Sequence, residues 1–180
     1  NTISDYRDIE LERQNSIYST MLFVETNGKK VNIIDTPGFD DFVGEMVAAS
    51  KVCEASLMTI NSQNGVEVGT EVTWRNATKY NFPVIFVMNQ LDAEKANFND
   101  TIEQMKNQRS SKVTVVQYPV DAGLGFSTII DVLKMKMYKY PVNGGKPEIL
   151  DIPGDEMSRA EDLHNELVEM AAENEEELME

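Results

Sequence analysis

The chain has 180 residues, 41% of them hydrophobic and 26% charged, which suits one folded domain with an appendage and excludes a wholly disordered chain. Its formal net charge is −15, so phosphate backbones are repelled and autonomous binding to DNA or RNA is not expected, although contacts through another domain or a bound protein stay open. The apolar runs are too short for a bilayer and nothing resembles a signal peptide, so no membrane partner is expected.

Ser19 to Glu25 alternates and is β-prone, Asn27-Gly28 marks a tight hairpin turn, and Val31 to Ile34 forms the return strand ending at Asp35. Residues from about Asp40 to Val52 suit a helix, with Phe42, Met46, Val47 and Ala49 apolar; Cys53, the one cysteine, is taken as part of that helix's core. A single cysteine allows no internal disulfide, and a reducing, cytoplasmic compartment fits. Ala55 to Ile60 reads as a buried strand, and Val66 to Tyr80 as a helix with Val68, Val72 and Ala77 inward and Trp74 and Tyr80 at its edges. Pro83 to Met88 is a near-continuous apolar run, expected to be a strand covered on both faces. A helix from about Asn99 to Gln108 and a strand from Val113 to Gln117 complete a further unit, so the fold is α/β with a mostly parallel sheet and helices on both faces.

After Tyr118, glycines and prolines punctuate short strands at Thr128 to Leu133 and Met135 to Tyr140. A helix from about Asp155 to Ala172 follows, with Leu163, Leu167, Met170 and Ala171 on one face. Residues 1–118 therefore form one domain and residues 119–180 a small α+β subdomain. The Glu-rich end places Glu173/Glu177 and Glu176/Glu180 at helical spacing. Each like-charge pair costs roughly 0.2–0.5 kcal/mol, so this end is expected to fray, and the sequence reads as a piece of a longer protein. Its Glu-rich face suits solvent, with docking on a partner protein as the minority reading.

Two strand ends carry polar signatures, where ligands of open α/β sheets sit. At Asp35-Thr36-Pro37-Gly38 the carboxylate can hold a Mg²⁺-bound water, and the Gly38 amide can approach a terminal phosphate without side-chain bulk. At Asn89-Gln90-Leu91-Asp92 the Asp can accept two hydrogen bonds from a guanine edge while Asn braces the loop. Alone, the first tetrad is equally a plain turn and the second more readily a helix cap. Together, in this order at two strand ends, they point to a GTPase. His164, the one histidine, reads as structural, and the methionines as flexible packing.

With these residues in view, the chain resembles the translational GTPases, and elongation factor G in particular. Asp35-Thr36-Pro37-Gly38 is similar to the third GTPase motif and Asn89-Gln90-Leu91-Asp92 to the fourth. Glu10-Leu11-Glu12-Arg13-Gln14-Asn15-Ser16-Ile17 is similar to the switch I stretch, and Asn61 to Glu67 and Glu71 to Arg75 resemble further stretches of the family. Gly125 to Leu133, Met135 to Tyr138 and His164 to Ala172 are similar to the insert that elongation factor G carries in its GTPase domain. The resemblance implies a P-loop GTPase-type fold that binds GTP or GDP with Mg²⁺, Ser16 and Asp35 lying at the metal, and a cytoplasmic translocation factor acting on the ribosome.

The pattern departs at four places. The phosphate-binding loop and its strand do not occur in the sequence, so GTP binding by this piece alone is expected to be very weak. The neighbours of that central strand are expected to have unpaired edges through which the piece can associate, whereas the parent is expected to be a monomer. Phe39 stands where the family has a water-positioning histidine, so no residue is assigned as catalytic and hydrolysis is expected to be impaired. Ser16 replaces the switch I threonine, with Gln14-Asn15 in place of Gly-Ile beside it, and Gln90 replaces the lysine of the guanine-reading motif. Alternative readings are a ribosome-binding factor that uses nucleotide only as a conformational ligand, and a GTPase of the tetracycline ribosomal-protection type.

Overall fold

The computed structural model describes residues 3–108, 110 and 112–173. They divide into two compact units, one within Asn1–Met58 and Glu67–Val87, the other within Thr59–Val66 and Met88–Glu180.

The first unit begins with a short helix, α1 (Asp8–Arg13), and a hairpin of β1 (Thr20–Thr26) and β2 (Lys29–Asp35). Asn27 and Gly28 both take positive φ, 49° and 71°, which gives the backbone twist that a two-residue antiparallel hairpin needs. The register pairs Thr26 with Lys29 and, at the open end, Thr20 with Asp35. The single helix expected over Asp40–Val52 divides into a 3-10 turn at Asp40–Phe42 and α2 (Val43–Ala49). Because α2 stops at Ala49, half-buried Cys53 lies in the following loop and not in a helix core.

Next come β3 (Ser56–Asn61), α3 (Val68–Tyr80) and β4 (Val84–Asn89). The Ser56 amide donates to the Pro83 carbonyl at 2.9 Å and the Ser62 amide to the Asn89 carbonyl at 3.0 Å. The same chain separation at both ends makes β3 and β4 a parallel pair, with strand ends pointing the same way. Trp74 of α3 stacks on Phe86 of β4 with ring centroids 5.5 Å apart. Coverage of β4 on both faces is not found: Leu57, Ile85 and Val87 are exposed, because no described element packs over that side of the pleat. Val68, expected inward, is also exposed, being the first residue of α3.

The second unit holds α4 (Phe98–Gln108), β5 (Gln117–Pro119), β6 (Thr128–Asp131), β7 (Lys136–Lys139), β8 (Glu148–Leu150) and α5 (Gly154–Ala172). The four strands form an antiparallel sheet in the order β5-β6-β7-β8. The strand expected over Val113–Gln117 is thus shifted to Gln117–Pro119 and pairs antiparallel with β6, Gln117 opposite Asp131 and Pro119 opposite Ile129. Val113 and Val115 are buried without strand pairing, so their apolar character reflects burial and not a ladder. The three-residue β8 carries too little pattern to be read in advance.

The main core lies here: Phe98, Val115, Tyr118, Ile130, Val132, Ile152 and Ala160 are buried, with Leu163 and Leu167 packed on them. Ala160, Leu163 and Leu167 recur at helical spacing, which aims one face of α5 at the sheet. Ala171 is exposed, since the described core ends before the last turn of the helix. The buried Tyr118 hydroxyl donates to Glu156 Oε2 at 3.0 Å, and burial raises its pKa above the ordinary value. His164 Nδ1 donates to the Val132 carbonyl at 2.8 Å, a structural bond. The Glu-rich segment from residue 174 onward lies outside the described residues. Among those described, no helix is long and apolar enough to cross a membrane.

Candidate functional site

In the first unit, β2 delivers Asp35 as its last residue, half-buried, with no hydrogen bond or ion pair to its carboxylate among the described residues. Thr36 is half-buried, Pro37 is buried and Gly38 is exposed, so the turn is anchored at Pro37 and open beyond it. A Cβ on Gly38 would meet nothing within 4 Å, so the chain itself leaves open space beside this residue. Phe39 precedes the 3-10 turn and is 58% exposed. A phenyl ring offers neither a donor nor an acceptor to a water there.

Ser16 belongs to the same unit. Its hydroxyl donates to Asp5 Oδ1 at 2.6 Å, which fixes the proton and leaves the oxygen's lone pairs for another partner. The loop before it is closed by Glu10, whose carboxylate is fully buried and accepts from the Ile17 amide at 3.0 Å and the Tyr18 amide at 3.1 Å. These amides hold Glu10 below its ordinary pKa. Gln14, in the place of the family's glycine, takes the left-handed conformation at φ 55° and caps α1 through the Glu10 carbonyl. The loop therefore turns through a left-handed residue at Gln14. On its far side the Ser19 amide donates to Glu45 Oε2 at 2.7 Å, and that amide holds Glu45 below its ordinary value as well.

In the second unit, Asn89 ends β4 and turns the chain through its side chain, Oδ1 accepting from the Gln90 amide at 2.9 Å. Gln90 sits at φ 58°, a conformation that this side-chain bond supports. The buried Ser62 hydroxyl donates to the Asn89 carbonyl at 2.8 Å, and Gln63 Nε2 donates to Gln90 Oε1 at 3.1 Å. Gln90 is thus tied to the preceding strand's loop. Asp92 is exposed, its carboxylate without a partner among the described residues, so both oxygens can accept from a ligand.

Ser16 offers a hydroxyl and Asp35 a carboxylate, oxygen donors of the type that suits a hard cation. Among the described residues no group of three or more His, Cys, Asp or Glu could hold a metal alone, so phosphate oxygens and water would have to complete the shell. Asp5 and Glu45 lie outside the stretches that the sequence marks, while Glu10, Ser62 and Gln63 lie inside them without an individual role to be read from the sequence. Only Glu10, a carboxylate at the head of the switch-like stretch, carried a signal that could have singled it out.

Residues 1–172 match the elongation factor Tu GTP binding domain family. The chain is 37% identical over 175 residues to an elongation factor G-like protein of Thermotoga maritima, covering 97% of the chain and 25% of that protein. It is 36% identical over 177 residues to elongation factor G of Ureaplasma parvum serovar 3, covering 98% of the chain and 26% of the relative. The chain thus spans about a quarter of the length of the curated relatives it matches. A crystal structure of a Thermus thermophilus protein superimposes with a TM-score of 0.90 at 26% identity, over 99% of this chain and 26% of that one.

Proposed function

This chain belongs to the elongation factor Tu GTP-binding domain family, and from that premise we propose that the full-length protein is an elongation factor G-like factor that binds GTP with Mg²⁺ and acts on the ribosome in translocation, with slowed hydrolysis. Asp35 and Ser16 would hold the cation and its water, Thr36, Pro37 and Gly38 would form the turn that senses the terminal phosphate, and Asn89, Gln90 and Asp92 would read the guanine. When bound, Mg²⁺ would supply neutralisation of the nucleotide's phosphate charge. No Gly-x-x-x-x-Gly-Lys-Ser/Thr stretch occurs in these 180 residues, so tight binding depends on a phosphate-cradling loop outside them.

The observation that carries slowed hydrolysis is Phe39, an exposed ring beside Gly38 where the family has a histidine. Removing a polar group that positions the attacking water commonly costs about 10²–10⁴ in rate. Ribosome-stimulated GTP turnover by the full-length protein tests this, and turnover at the level of an ordinary elongation factor would reject it. In Phe39→His, turnover should rise by about 10²–10⁴ at little changed GTP affinity. The same ring favours a second reading, in which the nucleotide serves only as a conformational ligand; turnover absent in both forms, with GTP-dependent ribosome binding kept, would single it out.

A further inference from the structure

We propose that Glu45 is a positioning residue, fastening the helix behind the Asp35–Phe39 turn to the segment that carries Ser16, so that the turn and Ser16 respond to the nucleotide together. The fastening stands on hydrogen-bond geometry; its consequence for nucleotide binding rests on the reading under Proposed function.

Four consecutive residues each donate one hydrogen bond to a carboxylate. Ser16 Oγ gives to Asp5, the Ile17 and Tyr18 amides to Glu10, and the Ser19 amide to Glu45. Asp5 and Glu10 lie just upstream and shape the loop locally. Glu45 comes from beyond the β1–β2 hairpin, on α2, which follows the Asp35–Phe39 turn after only the 3-10 turn. Its bond to Ser19, at 2.7 Å and with an ionised acceptor, is of the stronger charge-assisted kind.

The strand register closes this contact into a ring. Thr20, the neighbour of Ser19, pairs with Asp35. From Asp35 the chain runs through buried Pro37, Gly38, Phe39 and the 3-10 turn to Glu45, returns through the hydrogen bond to Ser19, and so to Thr20. The candidate phosphate turn lies inside the ring. A shift of Gly38 that carries α2 must either break the Glu45 bond or pull Ser19, and with it the residues next to Ser16. Glu45 thus adds a second link between the turn and the Ser16 loop, beside the strand pairing of Thr20 with Asp35.

Glu45→Ala and Glu45→Gln in the full-length protein test this, read by amide exchange at Ser19 without nucleotide and by affinities for GDP and a non-hydrolysable GTP analogue. In Glu45→Ala, Ser19 exchange should accelerate about tenfold and the ratio of GTP-analogue to GDP affinity should fall about tenfold. GDP affinity should stay within about twofold. Glu45→Gln keeps an amide oxygen that can accept from Ser19, so it should restore most of both effects. Unchanged Ser19 exchange, or equal weakening of both nucleotides in Glu45→Ala, overturns the proposal. An unaltered protein that binds neither nucleotide overturns the nucleotide reading and the coupling with it, while Ser19 exchange still decides the fastening.

Discussion

Gly65 follows β3 at φ +69° and is buried, and a Cβ there would collide with Gln104 Oε1. That oxygen accepts from the Val66 amide at 3.0 Å, so a methyl group would both strain the backbone and displace the acceptor of a neighbouring amide. Gly65→Ala should therefore lower stability by about 1–3 kcal/mol, read as a shifted denaturant midpoint at unchanged slope. The contrast with Gly38 is informative. There a side chain would meet nothing of the chain itself, so any intolerance of Gly38→Ala would not come from packing within these residues. Phe39, beside it, makes the same distinction from the other side: its ring is exposed, so Phe39→His should change turnover with little effect on folding.

At the scale of elements, the clasp between α1 and β1 is electrostatic and has a definite pH behaviour. Glu10 is held below its ordinary value of 4.5 by the Ile17 and Tyr18 amides. Its folded-state value lies under its unfolded one, so the unfolded chain takes up the proton first as pH falls. The clasp's contribution is then fully present above the ordinary value and is lost as pH drops through the depressed folded one. Exchange protection at Ile17 and Tyr18, corrected for intrinsic rates, should hold steady through neutral pH, fall at acid pH, and be low at every pH in Glu10→Ala. Beyond Glu10 itself the clasp was not legible in the sequence, because its carboxylate reaches amides seven to eight residues away that no local periodicity marks. The hairpin was legible, since Asn27-Gly28 dictates its turn. So were the ends of β2 and β4, where an apolar run meets a polar tetrad. The strand near Val113 was misplaced because burial and strand pairing give the same apolar signature, and only the partner strand β6 fixes which residues pair.

Across the whole molecule the apolar residues are unevenly used. The second unit buries a core drawn from α4, β5, β6, α5 and their loops, whereas the first leaves Met21, Phe23, Val31, Leu57, Ile85 and Val87 exposed on its strands. The pairs β1–β2 and β3–β4 form separate sheets, so strand edges remain open as well. Exposed apolar strands with open edges associate. The 180-residue chain should sediment with a concentration-dependent mass above that of a monomer. Ile85→Lys, which puts a charge on the uncovered face, should move it toward the monomer, and concentration-independent monomeric behaviour of the unaltered chain would refute the expectation.

The stacking of Trp74 on Phe86 gives the molecule an optical asymmetry. The chain has one tryptophan, and it sits with its aromatic partner wholly within the first unit. Emission excited at the far red edge of protein absorption, where tyrosine is silent, therefore reports on the first unit alone, while far-ultraviolet circular dichroism averages over both. Any difference between the two melting curves is a direct reading of whether the units unfold as one cooperative body or in succession.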